Sequence, residues 1–134
     1  MNKILILGAL PKEEEAEKLY EAIASACRKF ASEVSSPIDT VAFKGSEGER
    51  YDRAFRLVEE ADLIVGELSK ASTGQGMEIR EAANLGKPLV VVARAESSVS
   101  GLVKACPVLK EIIYYEDLED LKGKLEGFLG EEEK

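Results

Sequence analysis

The sequence predicts an α/β domain, a parallel sheet with helices on both faces. Short apolar runs alternate with longer amphipathic segments along the chain. The apolar runs are continuous rather than alternating, as in strands buried on both faces. The strand-helix repeat recurs five times, and crossovers of that kind make neighbouring strands parallel and lay the helices over the sheet. A length of 134 residues with 45% hydrophobic residues suits one such domain with a packed core.

The elements follow in order. "KILILG" (3–8) is the first strand. "KEEEAEKLYEAIASACRKFA" (12–31) is a helix, because Ala16, Leu19, Tyr20, Ile23, Cys27 and Phe30 recur at helical spacing and acids crowd its first turn. "DTVAF" (39–43) is a weaker strand, expected near an edge. "SEGERYDRAFRLVEEA" (46–61) is a second helix, with Ser46 and Glu49 in capping-box register. "DLIVGEL" (62–68) is the third strand, and "GQGMEIREAANLG" (74–86) a helix ending at Gly86. "KPLVVVAR" (87–94) is the most β-branched strand, "SSVSGLVKAC" (97–106) a short helix, "EIIYY" (111–115) the fifth strand and "DLEDLKGKLEGFLG" (117–130) the last helix. One domain over 1–130 results, with 131–134 a frayed acidic tail. In a flavodoxin-like order, 2-1-3-4-5, the switch point lies between strands 1 and 3, and ligands bind beyond their carboxyl ends.

Composition removes several functions. A net charge of −8 argues against a polymeric nucleic-acid partner, which needs a basic face, but leaves room for a small nucleotide held by local donors. Histidine is absent, so Ser-His-Asp and Cys-His catalysis and histidine metal sites are excluded. Cys27 and Cys106 sit among apolar and small residues and read as buried free thiols. No leader-like segment or membrane-length apolar run is seen, so a cytoplasmic protein with no membrane partner is expected.

The loop after the third strand carries the densest motif, Ser72-x-Gly74-x-Gly76-x-Glu78. Its glycines let a backbone approach a ligand closely or take positive φ. Ser72 or Thr73 can cap the next helix, whose first amides suit an anion. Gly74 and Glu78 share a helix face, so the carboxylate can point back toward the loop. Proximity to the positive helix end is expected to keep Glu78 ionised, as a nucleophile requires. The same residues are also ordinary helix-start chemistry. Glu67 ends the third strand at the site mouth as a candidate pocket residue, and Arg94 holds the equivalent place on the fourth. Asp62 opens the third strand, in a structural or functional role; no role is assigned to Tyr114 and Tyr115.

The stretch 61–94, "ADLIVGELSKASTGQGMEIREAANLGKPLVVVAR", resembles the nucleoside 2-deoxyribosyltransferase superfamily, closest in style to its 2'-deoxynucleoside 5'-monophosphate N-glycosidase branch. The resemblance rests on Asp62, Glu67, the Ser72-to-Glu78 loop and the turn Gly86-Lys87-Pro88. It implies a flavodoxin-like, commonly dimeric enzyme without metal or cofactor, acting on a small-molecule nucleoside or nucleotide. Glu78 would be the nucleophile that attacks the anomeric carbon, and Ser72 a phosphate contact. Ser100, in "SVSGLVK", resembles a serine lent to the phosphate by the neighbouring subunit of a homodimer. Gly8, Gly74 and Gly76 would border the substrate.

Two departures accompany the match. The family's first loop typically reads Gly-Ser-Ile-Arg-Gly, whereas this chain has Gly8-Ala9-Leu10-Pro11-Lys12. Lys12 can replace the charge of that arginine but not its bidentate grip. The family's second helix often reads Tyr-Glu-Arg-Asp, and the register here gives Tyr51-Asp52-Arg53-Ala54. Three readings stay open: a different substrate, a site rebuilt around Asp52 or Lys12, or a nucleotide-binding relative without turnover.

Overall fold

The strands form one all-parallel sheet in the order β2-β1-β3-β4-β5. The computed structural model describes residues 1–9 and 14–134. Its strands are β1 (Lys3–Leu7), β2 (Glu33–Ser35), β3 (Leu63–Glu67), β4 (Leu89–Arg94) and β5 (Leu109–Tyr115). Its helices are α1 (Glu14–Cys27), α2 (Pro37–Ala42), α3 (Glu47–Glu60), α4 (Thr73–Asn84), α5 (Gly101–Lys104) and α6 (Leu118–Glu132).

Residue parity divides the core. On one face Ile4, Ile6, Leu63, Val65, Val90 and Val92 pack against Ile23 and Cys27 of α1 and Leu121, Leu125 and Leu129 of α6. On the other, Leu5, Leu7, Ile64, Leu89 and Val91 meet Val58 of α3 and Ile79 and Ala82 of α4. Every central strand is therefore apolar at successive positions, which is why the runs do not alternate.

The second strand is a correction. Residues 39–43 do not extend; they belong to α2 and its C-cap Phe43. The strand that pairs with β1 is Glu33–Ser35, in register Lys3↔Glu33. Ser36 caps α2, Asp39 closes the capping box, and Pro37 occupies the first turn. That cap chemistry outweighs the β-branched Thr40 and Val41, and Val41 stays exposed.

Other boundaries moved less. The helix expected over 97–106 is only Gly101–Lys104. Its serine-rich approach stays irregular until Ser100 accepts the Leu102 amide. The helix α6 continues to Glu132, and Glu133 pairs with the N-terminal ammonium at 3.2 Å, where a frayed tail was expected. The expected helix start at residue 12, and with it Lys12, lies outside the described residues. The chain leaves α4 through Leu85 into Gly86, whose φ of +68° needs a glycine. There the Gly86 amide bonds Ala83 O and the Lys87 amide bonds Ala82 O, a full Schellman closure before β4.

Candidate functional site

The carboxyl ends of β1 and β3 lie side by side, Leu7 opposite Gly66. Gly8 leaves the first and Leu68 to Ser72 leave the second, so the topology brings Gly8 and the loop after β3 to the same carboxyl end of the sheet. Ser72 caps α4, its Oγ accepting the Gln75 amide at 3.2 Å. Gly74 and Gly76 keep negative φ; among the described residues only Gly86 is positive. A Cβ on Gly74 would lie 3.8 Å from Glu78 Oε1, an ordinary contact, so the carboxylate sits over this glycine without requiring it. Gly8, by contrast, is required. A Cβ on it would lie 2.0 Å from the Tyr20 hydroxyl, which donates to Ala9 O at 2.8 Å.

Glu78 is half-buried, one turn past the start of α4. Burial pushes its carboxyl up to about 7. The expectation of an acid held ionised by the helix end is thereby corrected. The dipole acts within the first turn, and Glu78 sits beyond it, so desolvation is the larger effect. The result is a carboxyl that changes charge near neutrality.

Glu67 is 3% exposed, and its carboxylate is turned into the protein rather than presented to a ligand. Its Oε1 accepts the Ser69 amide at 2.8 Å, and Oε2 accepts the Ser69 hydroxyl at 2.9 Å and the Tyr115 phenol. Ser69 Oγ also accepts the Arg94 amide at 2.9 Å. Gln75, likewise 3% exposed, donates through Nε2 to Glu67 O at 2.9 Å. Burial raises the Tyr115 phenol and the hydrogen bond to Glu67 raises it further; burial and the Glu67 charge raise Tyr20. Both phenols stay protonated. The Arg94 guanidinium stacks over the Tyr115 ring at 5.5 Å. Sequence reasoning missed Ser69, Gln75, Tyr20 and Tyr115 as supports. The available signal was a glutamate ending a buried strand, which must find donors somewhere.

Other predicted residues stand apart. Asp52 is exposed on α3, while Ala54, four residues before buried Val58, faces inward. The Ser46–Glu49 capping box forms as expected and starts α3 at Glu47. Arg53 donates to Thr40 Oγ1 at 3.3 Å and lies over Phe43. Asp62 accepts the Asn2 and Lys3 amides at the opposite end of the sheet, and these bonds hold its carboxyl below the usual range, a structural role. Ser100 is exposed at the N-terminus of α5 and borders a groove of about 640 Å³ between α4 and α5. That groove touches Ser72, Gly76, Ile79 and Arg80, on the side of α4 away from Glu78. Among the described residues there is no acid or cysteine cluster able to hold a metal, and no helix long and apolar enough to cross a membrane.

Fold and site together define a class: a doubly wound α/β domain whose strand order reverses between β1 and β3, with a half-buried carboxyl on the helix after β3. Comparison with known proteins narrows it. A protein of Thermofilum pendens named as a 2'-deoxynucleoside 5'-phosphate N-hydrolase 1 is 34% identical over 84 residues, which are 60% of this chain and 59% of the relative. The match thus spans less than two thirds of that relative's length. A protein of the same name from Methanosarcina mazei is 28% identical over 128 residues, 90% of this chain and 80% of the relative. Among solved structures, the CMP N-glycosidase of Clostridium botulinum superposes with a TM-score of 0.70 at 19% identity, covering 95% of this chain and 99% of that one. No family model matches the chain. These likenesses support the nucleoside 2-deoxyribosyltransferase superfamily, which the 61–94 stretch resembles.

Proposed function

We propose that this protein is an N-glycosidase that cleaves the bond between base and sugar in a nucleoside 5'-monophosphate, with Glu78 as nucleophile. The observation that carries the reading is Glu78 itself, half-buried over Gly74 on the helix that starts at the β1/β3 crevice. The names of the relatives in Thermofilum pendens and Methanosarcina mazei supply the substrate class. A Glu78 oxygen attacks the anomeric carbon as the carbon–nitrogen bond breaks, and the electron pair leaves with the base, which takes a proton from water. Water then attacks the same carbon, releasing the sugar phosphate and the free carboxylate. Ser72 and the first amides of α4 receive the phosphate, and the sugar lies beside Gly74, next to the Glu78 carboxyl. Ser69, Tyr20 and Tyr115 support this arrangement without touching substrate.

The working form is a cytoplasmic homodimer in this reading. The groove that joins Ser72 and Ser100 is bordered by Leu102, 87% exposed, which suits cover by a second copy that lends its Ser100. A specific observation favours a second reading: Ala54 occupies the inward position where the family carries an aspartate, so the protein would bind nucleotide without turnover.

Incubation with a panel of nucleoside and deoxynucleoside monophosphates and the free nucleosides, with chromatography of released base, separates the readings. Release is expected from a 5'-monophosphate, and Glu78→Ala is expected to lower it on the order of 10³-fold or more. Base release that persists in Glu78→Ala would sink the assigned nucleophile. Nucleotide binding without release would select the second reading, and base appearing only when an acceptor base is supplied would make the protein a transferase.

A further inference from the structure

We infer that Glu67 is a positioning residue, whose buried carboxylate registers the Ser72 loop and the start of α4 against the sheet and thereby aims Glu78. The catalytic consequence rests on the reading above; the structural one does not.

A carboxylate 3% exposed must be compensated by donors, and among the described residues no cation pairs with Glu67 within salt-bridge distance. Each group facing it is a donor: the Ser69 amide, the Ser69 hydroxyl and the Tyr115 phenol. These partners fit an acceptor-only carboxylate. A leucine there would fill space but could not direct the chain. The carboxylate folds Ser69 back immediately after β3, and Ser69 in turn accepts the Arg94 amide, tying the loop to β4. Tyr115 brings the end of β5 to the same point.

The backbone of the same residue completes the device. Glu67 O accepts Gln75 Nε2, and the Gln75 amide is held by Ser72 Oγ. Gln75 is thus fixed at both ends, one to the strand and one to the cap. Glu78 lies three residues further along the same helix face region, less than one turn away. Loss of the anchor frees the segment between β3 and the first turn of α4, and a shift of about 1 Å at a reacting group costs roughly 100-fold in rate.

The test compares Glu67→Ala, Glu67→Gln and Ser69→Ala with the wild type, below the melting temperature of each. It uses whichever nucleotide the wild type cleaves. Glutamine keeps the acceptor for the Ser69 amide, and its NH2 can donate to the two hydroxyls, so it is the conservative rescue. Glu67→Ala is expected to lower kcat about 10- to 100-fold, with faster amide hydrogen exchange over residues 69–76. Glu67→Gln is expected to return kcat to within about threefold, with an unchanged pH profile. Ser69→Ala keeps the carboxylate and its bond from the residue-69 amide but removes the hydroxyl that joins Glu67 to the Arg94 amide, and is expected to resemble Glu67→Ala more weakly; it decides the matter if Glu67→Ala does not fold. Unchanged exchange over 69–76 in the folded variants would overturn the inference. So would a Glu67→Gln variant as slow as alanine with one limb of its pH profile gone, because Glu67 would then be moving a proton. If the wild type cleaves nothing, the proposed function fails, and the exchange measurement alone decides the role of Glu67.

Discussion

At the scale of single residues, the site is governed by burial more than by charge. Glu78 has its carboxyl raised to about 7 by desolvation, so its ionised form, the one the proposed mechanism needs, accumulates only as pH passes neutrality. The expected kcat/KM rises with pH through a limb near 7, and a profile flat from pH 5 to 8 would contradict this. The same shift affects stability. The folded state holds the proton more tightly than the unfolded chain, so this contribution is present below the unfolded value near 4.5 and is lost as pH rises through about 7. Glu78→Gln removes that loss. It is expected to be more stable than the wild type at pH 8 by about 1–2 kcal/mol, after discounting for partial solvation, and equal to it at pH 4. Gly8 gives a second residue-scale prediction. The Tyr20 ring is buried and its hydroxyl is held by Ala9 O, so it cannot yield to a Cβ 2.0 Å away. Gly8→Ala is expected to cost about 1–3 kcal/mol in denaturant unfolding, with lower activity because the loop after β1 must move.

At the scale of elements, caps decided where helices begin, and two of them were readable in advance. The Ser46–Glu49 box starts α3 and Gly86 ends α4, as the spacing predicts. The helix α2 was missed because Thr40 and Val41 suggest a strand, although Ser36-Pro37-x-Asp39 spells a capping box. Ser36→Ala is expected to lower stability by about 1 kcal/mol, read as a reduced urea midpoint at constant slope. If α2 were dispensable local structure, the midpoint would not move. The helix α4 has two distinct faces: Glu78 lies beside Gly74 on one, whereas Gly76, Ile79 and Arg80 border the groove on the other. No periodicity argument separates those faces, because both are partly exposed.

At the scale of the whole molecule, the parallel order 2-1-3-4-5 gathers Gly8, Glu67, Arg94 and Tyr115 along one edge of the sheet, from segments far apart in the chain. That gathering makes the crevice possible, and it leaves the α4–α5 groove with Leu102 on its rim. The dimer proposal therefore has a direct check. The wild type is expected to sediment as twice 14.6 kDa, and Leu102→Glu to shift it toward the single-chain mass while still unfolding in one cooperative transition. A wild type that stays at the single-chain mass at all concentrations would remove both the dimer and the transfer of Ser100 across it.

The sequence by itself determined the layer architecture, four of the five strands and the place of the loop, because continuous apolar runs and helical spacing are local properties that survive without tertiary context; the order 2-1-3-4-5 followed from the flavodoxin-like pattern, and the second strand lay at Glu33–Ser35 instead of 39–43. It also offered Ser72 or Thr73 as the cap and allowed Glu78 to point back toward Gly74, from spacings of three and four residues; the structure selects Ser72 and places Glu78 Oε1 beside Gly74. Only the tertiary structure decided the charge state of Glu78, since burial depends on what other elements cover. It also decided that Glu67 turns inward to Ser69 and Tyr115, that Asp52 faces away while Ala54 faces in, and that Gly8 exists to admit Tyr20. Each of these depends on contact between segments whose separation in sequence carries no signal.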